Sequence, residues 1–305
     1  MSFTTNVKNE VSKLDITKSD KISELSAIIN NVSKLEDKIE VHSENASVAR
    51  RVFSLVKDIY DINPNVSVRK ANNFSKGYKY LVIINNKKIL NELRVTNKNS
   101  IPPSYLIDDD ELKKAYIRGL FLSVGSINDP KKSRYHLEFL FIDKNYAEFI
   151  SSLLNEFNLN SKVLKREKKY MVYVKEAEKI SDFLKIIRAS ESLLYFEDIR
   201  IYRDHKNMTN RLNNCEQANV DKTIKTATDQ IKDILLIEER YGLDILSEKV
   251  RQVCVYRKKY PDVSILELSN IISVETGQNI TKSGVYHRLK KINNLAKKIR
   301  DKDID

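Results

Sequence analysis

One helical pattern occurs twice in this chain, 92 residues apart. Leu25, Ile28, Ile29 and Val32 share one face of a helix predicted over 22–32. Adding 92 to each position gives Ile117, Leu120, Phe121 and Val124, inside a helix predicted over 110–124. Ala27 maps onto Gly119, so a small residue stands at the same point of both helices. Without a bulky side chain there, two such backbones can approach closely.

The elements that follow each helix keep the same order. In the first half, 38–43 alternates as a strand. Asn45 caps a helix through Tyr60 with Val48, Val52, Leu55, Val56 and Ile59 inward. Strands are predicted at 66–70 and 78–84 around a turn-rich stretch, Asn72 to Gly77, and a short helix at 87–94. After the break at Ile101-Pro102-Pro103 the order returns. The helix at 110–124 precedes a strand at 135–142, then a helix at 145–157 with Phe149, Ile150, Leu153 and Leu154 inward. Strands at 162–166 and 170–174 and a helix at 176–187 follow. Residues 1–195 therefore read as a duplicated α+β domain, with halves 1–100 and 101–195.

Residues 196–228 are polar and free of Pro and Gly, which predicts a helical linker, with a break near Asn219. Residues 229–305 read as an all-α domain. Its helices are predicted at 229–240, closed by Gly242, at 245–259, ending before Pro261, and from a Ser264 cap through Ile272. The turn Thr276 to Asn279 then leads to a last helix capped by Thr281. A helix, a short turn with Gly and a second, basic helix make the helix-turn-helix pattern, whose second helix enters the major groove of DNA.

That last helix carries the chemistry. Val285, Leu289, Ile292, Ala296 and Ile299 form one apolar face, and Ser283, Tyr286, His287, Lys290, Lys291 and Asn294 point the other way. Between Thr276 and Arg300 there are seven Lys and Arg and no Asp or Glu. Ordinary surface helices mix both signs, so this face is suited to a polyanion. Lys282, Arg288, Lys290 and Lys291 are expected to neutralise phosphates or reach guanine. Ser283, Tyr286 and His287 stand at the leading end, where base edges are contacted. Lys297, Lys298 and Arg300 are expected at phosphates or in solvent.

The net charge of +12 agrees with a polyanionic partner and says nothing about fold. Two cysteines, Cys215 and Cys254, and four scattered histidines have no zinc spacing, and the cysteines read as reduced thiols. Six glycines form no phosphate-binding loop, so neither metal nor cofactor is expected. No apolar run reaches membrane-spanning length, and no signal peptide is legible, which predicts a cytoplasmic, nucleoid-associated protein.

Ile117-Arg-Gly-Leu-Phe-Leu-Ser-Val-Gly125 resembles a degenerate LAGLIDADG motif, and Leu25 to Ser33 its weaker copy. The resemblance implies paired motif helices at a pseudo-twofold interface. Active homing endonucleases of that fold carry a metal-binding acid at the eighth motif position, where this chain has Val32 and Val124. Valine offers no oxygen to a hard cation, which leaves the fold without the nuclease. Asp129 could be put forward as a substitute ligand, but Asn128-Asp129-Pro130 reads as a turn.

Further strings narrow the match. Gly119 to Pro130, Tyr135-His-Leu-Glu138, Asn210-Arg with Asn214-Cys-Glu and Ala218-Asn219, and Lys282-Ser-Gly-Val with His287 to Ile292 occur in this order. Together they resemble the WhiA family of bacterial regulators over essentially the full chain. The resemblance implies a sequence-specific, non-enzymatic regulator of transcription that binds double-stranded DNA. It is linked to cell division, chromosome segregation and, where it occurs, sporulation. RNA polymerase or another transcription factor stands as a candidate protein partner. Tyr286 departs from the small Asn usual in the family. The alternative reading is a metal-dependent LAGLIDADG-type endonuclease.

Overall fold

The computed structural model describes residues 2–35, 38–70, 78–85, 89, 93, 99–132 and 134–302. The chain forms two compact units, Met1–Asp204 and His205–Asp305. The first is α+β. It opens with Phe3–Val11 (α1), a helix the sequence reading omitted, capped by Ser2 and burying Phe3, Val7 and Val11. Then come Lys18–Asn30 (α2), Ser33–Leu35 (β1), Lys38–Ser43 (β2), Ala46–Tyr60 (α3), Asn65–Lys70 (β3) and Tyr78–Ile84 (β4). The second half repeats them as Asp110–Val124 (α4), Gly125–Ile127 (β5), Leu137–Phe141 (β6), Lys144–Glu156 (α5), Lys162–Arg166 (β7) and Lys169–Val174 (β8). Ala177–Ile186 (α6) follows.

The duplication is visible in the sheets. Their strand orders are β1-β2-β4-β3 and β5-β6-β8-β7, all antiparallel. Val41 stands opposite Val82 in the first sheet, and Phe139 opposite Val172 in the second, all buried. The short strands β1 and β5 begin just after the motif helices. At three residues each they are too short to show a period. Asn45 caps α3 as expected, its Oδ1 accepting from the Ser47 and Val48 amides. The predicted turn at 72–77 lies outside the described residues, as does most of the predicted helix at 87–94; its described members Ile89 and Leu93 are buried.

The two motif helices meet as the spacing required. A Cβ added to Gly119 would stand 2.2 Å from the Glu24 carbonyl oxygen and 2.9 Å from the Ala27 Cβ. The interface also holds what periodicity did not reveal. Glu24 is fully buried, and its carboxylate accepts from Arg51 Nε at 2.7 Å and Arg118 Nε at 2.6 Å, tying α2 to α3 and α4. Nearby, the Tyr116 and Tyr146 hydroxyls are 2.9 Å apart, and Asn30 Nδ2 donates to Tyr116 at 3.2 Å. Burial pushes the Tyr116 pKa up to about 12 and raises that of Tyr146 as well, so both remain neutral hydrogen-bonding groups.

The second unit is all-α. Ser190–Tyr241 (α7) begins in the first unit and continues into the second. The expected break at Asn219 is absent. No Pro or Gly interrupts 190–241, and an interior Asn costs only about 0.7 kcal/mol. A 3-10 turn at Leu243–Ile245 precedes Glu248–Lys259 (α8), which therefore starts later than predicted. Ile265–Thr276 (α9) runs four residues beyond the predicted end, and Lys282–Lys302 (α10) follows. Their core joins Ile234, Ile237, Val250, Val253, Cys254, Leu268 and Ile272 to the apolar face of α10.

Candidate nucleic-acid interface

The turn between α9 and α10 is built residue by residue. Ser264 and Glu267 form a reciprocal capping box at the start of α9. Thr276 ends that helix, and Gly277 reverses the chain in the left-handed region at φ 67°, where a Cβ would be strained. Ser273 Oγ then accepts from the Ile280 amide at 3.0 Å, and Thr281 Oγ1 accepts from the Gly284 amide at 3.2 Å. The last bond is the predicted cap of α10.

Other contacts fix the helices around the turn, and none was legible in the sequence. Arg257 is buried, and its Nη1 donates to the Val263 carbonyl at 2.7 Å, holding the loop between α8 and α9. Burial lowers its pKa. The Tyr260 hydroxyl donates to Glu275 Oε1 at 2.7 Å, and Lys259 Nζ approaches the same carboxylate at 3.1 Å. These bonds hold the Glu275 pKa below its usual value, the tyrosine bond contributing most. Asp233 of α7, nearly buried, accepts from Asn293 Nδ2 at 2.6 Å and from Arg300 Nη2 at 2.5 Å.

Against this frame α10 divides cleanly. Val285, Leu289, Ile292, Ala296 and Ile299 are all buried. Lys282, Ser283, Tyr286, His287, Lys290 and Lys291 are all exposed, so the structure brings the predicted contact residues to one open face. Tyr286 is 50% exposed, and its ring stands edge-on to His287 with centroids 5.7 Å apart. Arg288 is half-buried and so less open than its neighbours. Arg300 has a partner that the sequence did not show. It is exposed to solvent, as expected, but it is not a free cation, because Asp233 engages it across the helix pair. Among the described residues, the other six basic positions of 276–300 have no acidic partner, which leaves their charges available to a polyanion.

The degenerate motif positions lie elsewhere, in the first unit. Val124 is the last residue of α4, and Val32 stands just past α2, whose C-cap is Asn31. Both are half-buried. Among the described residues no three His, Cys, Asp or Glu side chains are grouped to hold a metal ion. Asp129 Oδ1 accepts from the Lys131 amide at 2.9 Å, the bond of a turn residue. Among the described residues no helix is long and apolar enough to cross a membrane.

Comparison with known proteins covers both units. The profile of the WhiA N-terminal LAGLIDADG-like domain matches residues 18–96, that of the WhiA LAGLIDADG-like domain 113–206, and that of the WhiA C-terminal HTH domain 209–296. A "Probable cell division protein WhiA" of Staphylococcus carnosus (strain TM300) is 42% identical over 311 residues, 98% of this chain and 98% of the relative. The protein of that name from Staphylococcus aureus (strain Newman) is 40% identical over 311 residues, covering 99% and 98%. The crystal structure of full-length DUF199/WhiA from Thermatoga maritima superposes with a TM-score of 0.58 at 25% identity, over 98% of this chain and 99% of that one. A helix-turn-helix domain in a chain so similar to cell division proteins supports a DNA-binding role linked to cell division. By a similarity that runs through both halves of the duplication and on into the basic helix, this chain belongs to the WhiA family.

Proposed function

We propose that the protein is a sequence-specific, non-enzymatic regulator of transcription at the chromosome, with α10 as the helix that reads duplex DNA. The observation that carries this reading is the exposed face of α10 from Lys282 to Lys298, which holds no acid and is backed by a fully apolar seam. Lys282, Lys290 and Lys291 are assigned to phosphates, with Arg288 reaching a phosphate or a guanine edge from its half-buried position. Ser283, Tyr286 and His287 are assigned to base edges at the front of the helix. Cell division, chromosome segregation and, where the host sporulates, sporulation are the processes such a regulator serves. RNA polymerase or a second transcription factor is the protein partner suited to that role. Valine at positions 32 and 124 supports the absence of a nuclease, since neither side chain can ligate a hard cation.

The test uses the full chain and a bound site recovered by genome-wide mapping, in competition with a scrambled duplex at fixed salt. Tyr286→Ala and His287→Ala are expected to change the preference between the two duplexes by about 1–3 kcal/mol where a base contact is lost. An unchanged specificity ratio in both variants overturns the assignment of base reading to this helix. The same duplexes are expected to remain uncut with magnesium or manganese. Specific cutting by the purified chain, lost on mutation beside either motif, would restore the endonuclease reading.

A further inference from the structure

The first unit contains a cleft of about 460 Å³ where α1, β2 and the start of α3 meet the ends of α2 and α4. That volume suits a small molecule. Val41, Val48 and Leu122 give it apolar walls. Lys8 of α1 also lines it. Among the described residues no carboxylate pairs with this ammonium, and its neighbour is the Phe121 ring, 5.6 Å away at the centroid. Burial pushes the Lys8 pKa down to about 8, so at neutral pH the side chain still carries most of its charge. A desolvated cation without a counter-charge is costly. Asn45 lines the same cleft, and its buried Nδ2 has no hydrogen-bond partner.

The nearby acids do not supply the missing charge. Glu40 is engaged by Lys38 at 3.0 Å and lies 3.6 Å from His42, and Glu44 is exposed to solvent. We propose that this cleft binds a small organic anion, with its carboxylate or phosphate headgroup on Lys8 and a short apolar body against Val41, Val48 and Leu122. The apolar walls beside the ammonium suit a ligand with a hydrocarbon body, which a duplex backbone lacks, so the ligand is a free small molecule and not DNA.

The test is lysine side-chain 13C NMR on the full chain, following the Lys8 signal, identified by its loss in Lys8→Met and expected to titrate near pH 8. Hexanoate, hexyl phosphate, inorganic phosphate and a short DNA duplex are each added at constant ionic strength, with chloride as reference. Hexanoate or a phosphate is expected to raise that pKa by about one unit or more, and which of them does so identifies the headgroup. The same anion is expected to raise Tm by about 2–4 °C in the native chain, with no such rise in Lys8→Met. A Lys8 pKa that is the same with every small anion, or that moves only with the duplex, overturns the proposal. So does a Tm rise retained in full by Lys8→Met. If that variant does not fold, the titration of the native chain decides alone.

Discussion

The junction of the two motif helices and helix α10 use charge in opposite places. The first puts it inside: Glu24, Arg51 and Arg118 are buried at the junction of α2, α3 and α4. The second keeps the seam of α10 apolar and leaves its lysines outside. A buried carboxylate between two guanidiniums adds little net stability over a hydrophobic packing of equal shape, but it penalises every arrangement that leaves one of the three unpaired. It therefore specifies one way of joining the two motif helices. The outward lysines of α10 have no acidic partner among the described residues and are free to act on a ligand. At that junction polar chemistry selects a structure, and on the open face of α10 it is placed to select a partner.

The sharpest way to break this comparison is Glu24→Ala. Two buried guanidiniums lose their counter-charge, and the expected loss is about 3–5 kcal/mol, read as a shift of the denaturant midpoint. A loss under about 1 kcal/mol would mean that the buried charges do not lock the interface. Gly119→Ala comes next. Its Cβ would stand 2.2 Å from a backbone oxygen, so the helices must separate, at about 1–3 kcal/mol. An unchanged Tm would remove these two helices from the interface.

A smaller effect belongs to Glu10 of α1. Its carboxylate accepts from the Glu191 and Ser192 amides at 2.7 and 3.0 Å, capping the start of α7 from a distant part of the chain. Glu10→Ala is expected to cost about 0.5–2 kcal/mol, measured by thermal unfolding, and a neutral result would show that the cap contributes nothing. For the second unit the smallest change is Lys290→Ala. No loss of folding stability is expected, since the residue is exposed and unpaired. The slope of log affinity against log salt should fall by about one, equally for specific and random duplex. A variant that lost stability but kept its salt slope would place Lys290 on the wrong side of the comparison.

Much of the first unit was legible because repetition doubles a weak signal. The offset of 92 aligned two helices whose individual patterns were ordinary, and the strand order repeated after each. The α10 face was legible for another reason. An amphipathic helix with one charge sign on its open face states both which side is buried and what the other side meets, from local spacing alone. The sequence by itself thus determined the duplicated α+β unit, the close approach at Ala27 and Gly119, the turn at Gly277 and the open basic face.

Only the tertiary structure decided the rest. Glu24 and Arg118 look like surface residues on helical wheels that are apolar on one side, because pairing between distant elements leaves no trace in local periodicity. Arg300 looked like one more free cation until Asp233, 67 residues away, engaged it. Helix α1 was overlooked because nine residues carry little periodic signal, and its place depends on Thr4 bonding Ile127 across 123 residues. The break expected at Asn219 failed in the other direction: a polar composition predicts exposure, and an exposed helix without Pro or Gly has no reason to stop. Local spacing determines what each segment can form, while the partner of a buried charge depends on which distant segments the fold brings within 3 Å, and chain order does not encode that distance.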